Sequence, residues 1–339
     1  MMGRCDPAEG TSPMDDHYAD RQWNELYPVI DYLQRRATGD PTRWWMDDLR
    51  DRHAPPGGFA HALVIGCGNG WVERDLSDRG VARRFDAFDA SGAYLEEAQR
   101  QRGDRPIRYF AADFGSLTLD RRYDLIVNVA ALHHARFLYR ATRTLSEALT
   151  DDGLFVHWEY VGPSRNQYPG PQVAAMEEAR RSLPLPFRTP HPLRPDLHDT
   201  VELDPTEAVH SSEIRRAVHD HLDVLEWHDL GGGVAYQLLW NHIEPFREKT
   251  TEAGDALAAL LRSDERLSGT PSVPNLFAYV IARRPRGRPP LGARYRLLVF
   301  EPVREAVAAR TGGYYPRELL RLFVARHAPL VRVVRRLRR

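Results

Sequence analysis

From residue 61 onward, short apolar runs alternate with stretches of helical periodicity, the rhythm of a parallel sheet whose strands are joined by crossover helices. Runs at 61–65, 84–88, 107–110, 123–128 and 153–159 predict five strands, and later runs at 222–229 and 275–283 bring the number to seven. Ahead of them, Trp23, Leu26, Tyr27, Ile30 and Leu33 fall at helical spacing. Thr38-Gly39-Asp40-Pro41 supplies a stop and a new start, so two helices are expected before the sheet. Between Gly162 and Pro205 prolines are frequent and periodicity is weak, which predicts an insertion with one helix at 171–182. Helices are expected again at 205–220, 234–247 and 252–262. The fold class read from this pattern is α/β, with helices on both faces of the sheet. The expected organisation is a disordered leader (1–16), a helical segment (17–55), a core (56–162), an inserted cap (163–204), the rest of the core (205–283) and a basic amphipathic tail (284–339).

Composition narrows the function classes. Acidic and basic side chains balance at 47 each over 339 residues, so the chain lacks the broad positive field that attracts nucleic acid, and no nucleic-acid partner is expected. Only Cys5 and Cys67 are present, which implies neither a disulfide framework nor a zinc-binding cysteine pattern. No apolar run reaches the roughly 18–20 residues of a membrane span, and the start, MMGRCDPAEGTSPMDD, lacks the order of a signal peptide. A cytoplasmic location is the expectation.

Candidate chemistry gathers on successive strand ends. Ala62-Leu63-Val64-Ile65 runs into Gly66-Cys67-Gly68-Asn69-Gly70, where glycine permits a tight turn and close approach to a ligand. Asp89 ends the second strand, where a carboxylate can accept both hydroxyls of a ribose. Asp113, in Ala111-Ala112-Asp113-Phe114 past the third strand, is placed to accept from an adenine amino group. Singly, the glycines read as a plain turn, Asp89 as a helix cap and Asp113 as a surface acid; three in register point to a nucleoside ligand. Trp71 stands where a third glycine of a dinucleotide pattern would fall, and no Tyr-x-x-x-Lys set is present, which disfavours an NAD-dependent oxidoreductase.

These residues resemble the glycine motif, acidic loop and adenine-contacting loop of class I S-adenosylmethionine (SAM)-dependent methyltransferases. Trp44 with Thr38-Gly39-Asp40-Pro41, Leu132-His133-His134, Glu159-Tyr160-Val161-Gly162-Pro163-Ser164-Arg165, Asp204-Pro205-Thr206-Glu207-Ala208, Ser211-Ser212-Glu213-Ile214 and Gly231-Gly232 resemble one bacterial subfamily over about residues 17–283. Its members often lie near glycan or secondary-metabolite genes. The resemblance implies a Rossmann-like seven-stranded methyltransferase sheet and SAM as cofactor. The cofactor set expected on this basis is Gly66, Cys67, Gly68, Asn69, Gly70, Asp89, Ala90, Asp113, Phe114 and Asn128. Asn128 is not followed by the Pro-Pro-aromatic sequence of enzymes that methylate nucleic-acid amino groups. His210, Asn166 and Tyr168 stand where relatives usually carry Arg, Phe and Trp, which leaves the acceptor open.

Methyl transfer needs an aligned nucleophile, and a hydroxyl acceptor gains from a base near neutral pKa. The catalytic candidates are His133 and His134, just past the fourth strand, and Glu159, ending the fifth. Neighbouring side chains point apart in regular structure, so only one of the two histidines is expected to face inward; the other reading has a histidine packing on the cofactor or capping a helix. Tyr160, Arg165, Asn166, Gln167 and Tyr168 offer stacking faces and polar contacts that suit a saccharide, or else form a lid joint with Glu159 paired to an arginine. Asp204-Pro205-Thr206-Glu207 has the form of a helix capping box and is expected to be structural. No Asp/Asn/His set is spaced for magnesium, so metal-independent transfer is expected. The acceptor is read as a saccharide or glycosylated small molecule, against a natural-product amine or carbon acceptor and against a SAM-binding protein that no longer methylates. In the tail, eight arginines face one glutamate between Arg317 and Arg339, interleaved with apolar residues. Such sequence suits peripheral contact with the inner face of a membrane through 317–339, or else a docking helix.

Overall fold

The computed structural model describes residues 23–287 and 289–326, with side chains described to residue 323. The expected leader at 1–16 and the end of the tail beyond 326 lie outside the described residues.

One sheet organises the chain. Its strands are β1 (Ala62–Ile65), β2 (Phe85–Asp89), β3 (Ile107–Ala111), β4 (Tyr123–Val129), β5 (Leu149–Tyr160), β6 (Asp223–Gly231) and β7 (Phe277–Arg283), in the order β3-β2-β1-β4-β5-β7-β6. Strands β1 to β5 are parallel, and β7 runs antiparallel between β5 and β6. All four residues of β1 are buried, as a strand covered on both faces requires. Alternation divides the core in two: Val64, Val127, Val156 and Ile281 pack on one face, and Ile65, Ile126, Phe155 and Val280 on the other. The chain leaves β1 towards β2 on one side and enters β4 on the other, so the carboxyl ends of β1 and β4 flank the crevice where open α/β sheets hold ligands.

The helices are α1 (Tyr27–Thr38), α2 (Trp45–His53), α3 (Trp71–Asp78), α4 (Gly92–Gln101), α5 (Leu138–Glu147), α6 (Gly170–Ser182), α7 (Leu197–Leu203), α8 (Ile214–His221), α9 (Ala235–Leu239), α10 (Glu244–Arg247) and α11 (Thr251–Leu267). The insertion holds a second helix, α7, beyond the one expected there, and two other helices differ from the sequence pattern. The helix expected over 205–220 begins only at Ile214, after a turn and a short 3-10 segment. The Asp204 carboxylate that resembled a helix cap closes the turn instead, accepting from Thr206 N at 2.7 Å and Thr206 Oγ1 at 2.6 Å, and Ala208 at φ 45° stops a helix from continuing. The single helix expected over 234–247 is split where Asn241 adopts φ 53°.

The tail is folded against α5 and α8. It contains α12 (Leu291–Tyr295), a π-helical stretch (Arg296–Phe300), α13 (Glu301–Arg310) and α14 (Pro316–Arg326). Its attachment is largely polar. The Glu301 carboxylate accepts from the backbone N–H groups of Tyr139 (2.7 Å) and Arg140 (3.1 Å), at the start of α5. Arg296 makes a two-pronged pair with Asp220, and Arg304 with Glu213.

Candidate active site

The turn between β1 and α3 is built from glycines in the left-handed region. Gly66, Gly68 and Gly70 have φ of 56°, 54° and 81°, a region that favours glycine. A Cβ on Gly66 would lie 2.3 Å from the Cβ of Ala131, and one on Gly70 would meet the Tyr109 hydroxyl and Glu73 carboxyl. A Cβ on Gly68 would meet nothing within 4 Å, so the outer side of the turn is open. Asp89, at the end of β2, secures the turn: Oδ2 accepts from Gly68 N at 2.8 Å and Oδ1 from Ser91 N at 2.8 Å. Cys67 is buried and engages through its backbone, donating N–H to Phe88 O at 2.9 Å. Asn69 is exposed and accepts from Trp71 N, and Ala90 is exposed beside Asp89. The exposed Asp113 accepts from Gly115 N and from the N and Oγ of Ser116, and the Ser116 hydroxyl above all holds its carboxyl below the usual range. Phe114 packs edge-on against Phe88. The open turn and the carboxylates on the next two strand ends fit the adenosyl group of SAM.

A second constellation lies at the ends of β4 and β5. Asn128 is fully buried: its amide nitrogen lies 2.9 Å from His157 Nδ1 and donates to Glu159 Oε2 at 3.1 Å, while Oδ1 accepts from Leu132 N. It braces the turn that carries the histidines. Glu159, also fully buried, lies 2.6 Å from His133 Nδ1 and accepts from the backbone N–H of His133 and Tyr160, so its partner is a histidine and not an arginine. Burial alone would raise the Glu159 pKa, but His133 pushes it down to about 2. Burial likewise opposes charge on His133; Glu159, then Glu207, outweigh it and hold the imidazole well above its ordinary value. His134 is pushed down, by burial first and then by its charged neighbour. Burial also lowers His157, to about 4.

Both histidines face the same acid, against the expectation that only one turns inward. Leu132–His134 form a 3-10 turn, and the two rings lie 4.2 Å apart. His133 Nε2 is 3.6 Å and His134 Nε2 3.8 Å from Glu207 Oε2, while His134 Nδ1 lies 3.0 Å from Thr206 Oγ1 and 3.5 Å from Asp204 Oδ2. Asp204, Thr206 and Glu207, read from sequence as a cap, thus stand beside the histidines. They are held there by long-range backbone bonds, Val209 N to His133 O at 3.2 Å and Arg165 N to Ala208 O at 2.8 Å. Among the described residues, four of the five non-glycine positions with positive φ surround this cluster: Ala130, Arg165, Asn166 and Ala208.

The segment after β5 divides between this cluster and the tail. Asn166 Nδ2 donates to Glu207 Oε1 at 3.3 Å. Arg165 is 1% exposed, turned away to pair with Glu318 of α14 at 3.3 Å and to donate to Glu207 O. Gln167 donates to the carbonyls of Arg165 and Pro195. Tyr160 and Tyr168 are buried, with Tyr160 donating to Pro163 O and packing against Tyr236, an aromatic the sequence pattern did not single out.

Residues 62–153 match a family model described as a methyltransferase domain. Among curated proteins, the chain is 35% identical over 68 residues to a malonyl-[acyl-carrier protein] O-methyltransferase of Anoxybacillus flavithermus, covering 20% of this chain and 26% of that one. It is 24% identical over 141 residues to the protein of that name from Bacillus anthracis (42% and 46%). It is 31% identical over 119 residues to an uncharacterised methyltransferase of Mycobacterium tuberculosis (35% and 59%). The matches to the malonyl relatives thus span between 26% and 46% of their length. Among solved structures, a SAM-dependent methyltransferase of Mesorhizobium loti superposes with a TM-score of 0.43 at 22% identity, over 71% of this chain and 97% of that one. The residues matched by the methyltransferase-domain model run from β1 into β5.

Proposed function

We propose that this chain transfers the methyl group of SAM to a hydroxyl of a small polar acceptor, a saccharide or glycosylated metabolite. The observation that carries the reading is the convergence of His133, His134, Glu159 and Glu207 at the ends of β4 and β5, on the same sheet edge as the glycine turn and Asp89. Gly66–Gly70 cradle the cofactor, Asp89 accepts from the ribose and Asp113 from the adenine. When bound, SAM supplies a sulfonium methyl: a lone pair of the acceptor oxygen forms the new C–O bond as the C–S pair returns to sulfur. The polar cluster holds the acceptor hydroxyl and takes up its proton, with Asn166 and the half-buried Tyr236 as the neighbouring groups for a sugar. Positioning supplies much of the rate.

Two of the three curated relatives named above carry the name malonyl-[acyl-carrier protein] O-methyltransferase, which favours oxygen as the methylated atom. A malonyl carboxylate suits this site poorly, because Glu159, Glu207 and Asp204 already surround the two imidazoles with negative charge. A neutral hydroxyl enters without that repulsion.

Peripheral attachment to the inner face of an anionic membrane belongs to the same reading, and would suit a lipid-linked glycan. Leu291, Tyr295, Leu298, Val299 and Val303 are exposed along one run of the tail, with Leu320 and Phe323 exposed on α14 and Arg294, Arg310, Arg317 and Arg321 exposed among them. Apolar side chains interleaved with arginine complement an anionic surface. No helix among the described residues is long and apolar enough to cross a membrane.

The reading is tested by following labelled methyl from SAM into an extract of the source organism, separated into aqueous, lipid and protein fractions. Label in a saccharide or glycolipid supports it. Confirmed SAM binding with no label in any fraction would favour a protein that binds SAM without turnover.

A further inference from the structure

We propose that His133, His134 and Glu207 bind one first-row divalent metal ion, of the zinc or manganese type, beside the cofactor turn. The ligand atoms come from two distant segments, the turn after β4 and the turn after α7, and each residue offers one atom within 4.8 Å of the other two. The two imidazole Nε2 atoms lie 3.6 and 3.8 Å from the same Glu207 oxygen. Nitrogen and oxygen ligands about 2.0–2.2 Å from a common ion sit roughly 3–3.5 Å apart, so each imidazole needs only a few tenths of an ångström towards Glu207, and the two imidazole nitrogens, within 4.8 Å of each other, draw together to close the site. Two histidines and one carboxylate, with no thiolate, suit an ion of this class and leave coordination positions free.

The surroundings point the same way independently. A metal-bound histidine characteristically donates its other ring N–H to a carboxylate, which fixes the tautomer and aims the lone pair. His133 has that arrangement directly, and His134 has it through the Thr206 hydroxyl, which itself donates to Asp204. His133 Nδ1 lies 2.6 Å from Glu159 Oε1, and His134 Nδ1 lies 3.5 Å from Asp204 Oδ2 and 3.0 Å from Thr206 Oγ1. Glu159 and Asp204 are themselves pinned, Glu159 by Asn128 and the backbone, Asp204 by Thr206. Three carboxylates face two imidazoles, so these five side chains carry net negative charge in every protonation state of the rings while the acids are ionised, and a cation offsets it. Asn166 Nδ2 on Glu207 Oε1 leaves Oε2 as the oxygen turned to the histidines.

The role this gives the ion rests on the O-methylation reading above: an acceptor hydroxyl bound at a free position would be both oriented and acidified. The binding site itself does not depend on that reading.

The test is titration of the full chain, stripped with a chelator, with Zn²⁺ and Mn²⁺ by calorimetry, and with Co²⁺ by its visible absorption. One ion per chain is expected, with a Co²⁺ spectrum of imidazole and oxygen ligation. His134→Ala and Glu207→Gln should each weaken binding about 100-fold, and Glu159→Gln, one step removed, about 10- to 100-fold. His198→Ala, at an exposed histidine beside Glu202, should change nothing. Retained SAM binding shows that each variant is folded. Absence of stoichiometric binding to the wild-type chain, or affinity unchanged in the folded His134→Ala and Glu207→Gln variants, would overturn the proposal. An ion bound as described in a chain that methylates no hydroxyl would leave the metal site standing and remove the O-methylation reading; methylation of a hydroxyl by a chain that binds no ion would do the reverse.

Discussion

Gly68 N–H donates to Asp89 Oδ2 at 2.8 Å, so the end of β2 holds the turn that follows β1. One carboxylate therefore fixes a positive-φ glycine and, in the function proposed above, presents its remaining lone pairs to a ribose. Asp89→Ala should weaken SAM binding tenfold or more, since loss of a hydrogen bond to a charged group costs about 1.5–3 kcal/mol. Asp89→Asn keeps one acceptor oxygen for the turn and should fall between the two. Calorimetry with SAM checks both, and unchanged affinity in Asp89→Ala would show that the ribose lies elsewhere.

Glu73 sits beneath the same turn, fully buried near Gly70 and Tyr109, and burial above all pushes its carboxyl up to about 7. Its ordinary value is near 4.5, so the folded state holds the proton more tightly than the unfolded chain. The stability this contributes is fully present below about pH 4.5 and is lost as pH rises to about 7, roughly 3 kcal/mol in all. Glu73→Gln, which cannot ionise, should show a melting temperature that falls less between pH 5 and pH 8 than that of the wild type. Parallel pH profiles for the two proteins would refute the assignment.

How far the sequence reaches can be judged at particular residues. The strands were legible because β1 and the middles of β4 and β5 are unbroken apolar runs buried on both faces, a signal that needs no knowledge of distant partners. Glu207 was not legible as a neighbour of the histidines. Asp204-Pro205-Thr206-Glu207 has the local form of a helix start, and it becomes a turn only because Ala208 and Val209 bond to Arg165 and His133, residues far away in the chain. The two histidines misled for a related reason: neighbours diverge in regular structure, but a 3-10 turn lets both reach one carboxylate. The tail looked basic and amphipathic because its arginines dominate the count, whereas its attachment depends on Glu301, Glu305 and Glu318 as much as on Arg296 and Arg304, and the partners of those glutamates lie more than 90 residues away or within the tail itself.

Glu301 predicts a concrete role for the tail. Helix α5 follows Phe137, whose side chain provides no cap, and the Glu301 carboxylate supplies one to Tyr139 N and Arg140 N from 162 and 161 residues downstream. Loss of a helix cap costs about 1–2 kcal/mol. Glu301→Ala should therefore lower the free energy of unfolding by that amount in urea, while Glu301→Gln, which keeps an acceptor, should recover part of it. Equal stability of Glu301→Ala and the wild type would mean that the tail docks without supporting α5.

The exposed face of the tail makes a separate prediction. Leu298 and Phe323 are 62% and 60% exposed, so most of each side chain lies outside the packing that fixes the tail, and replacing them should leave the fold intact. Leu298→Glu together with Phe323→Glu removes apolar area and sets two negative charges against an anionic surface, while every arginine remains. If this face meets a membrane, the double variant should sediment with anionic lipid vesicles several-fold less than the wild type at physiological salt, and both should be released as salt screens the arginines. The same measurement on uncharged vesicles separates the two contributions: binding carried by arginine is lost there, and binding carried by insertion is kept. Equal sedimentation of variant and wild type on anionic vesicles would show that these side chains serve some other contact.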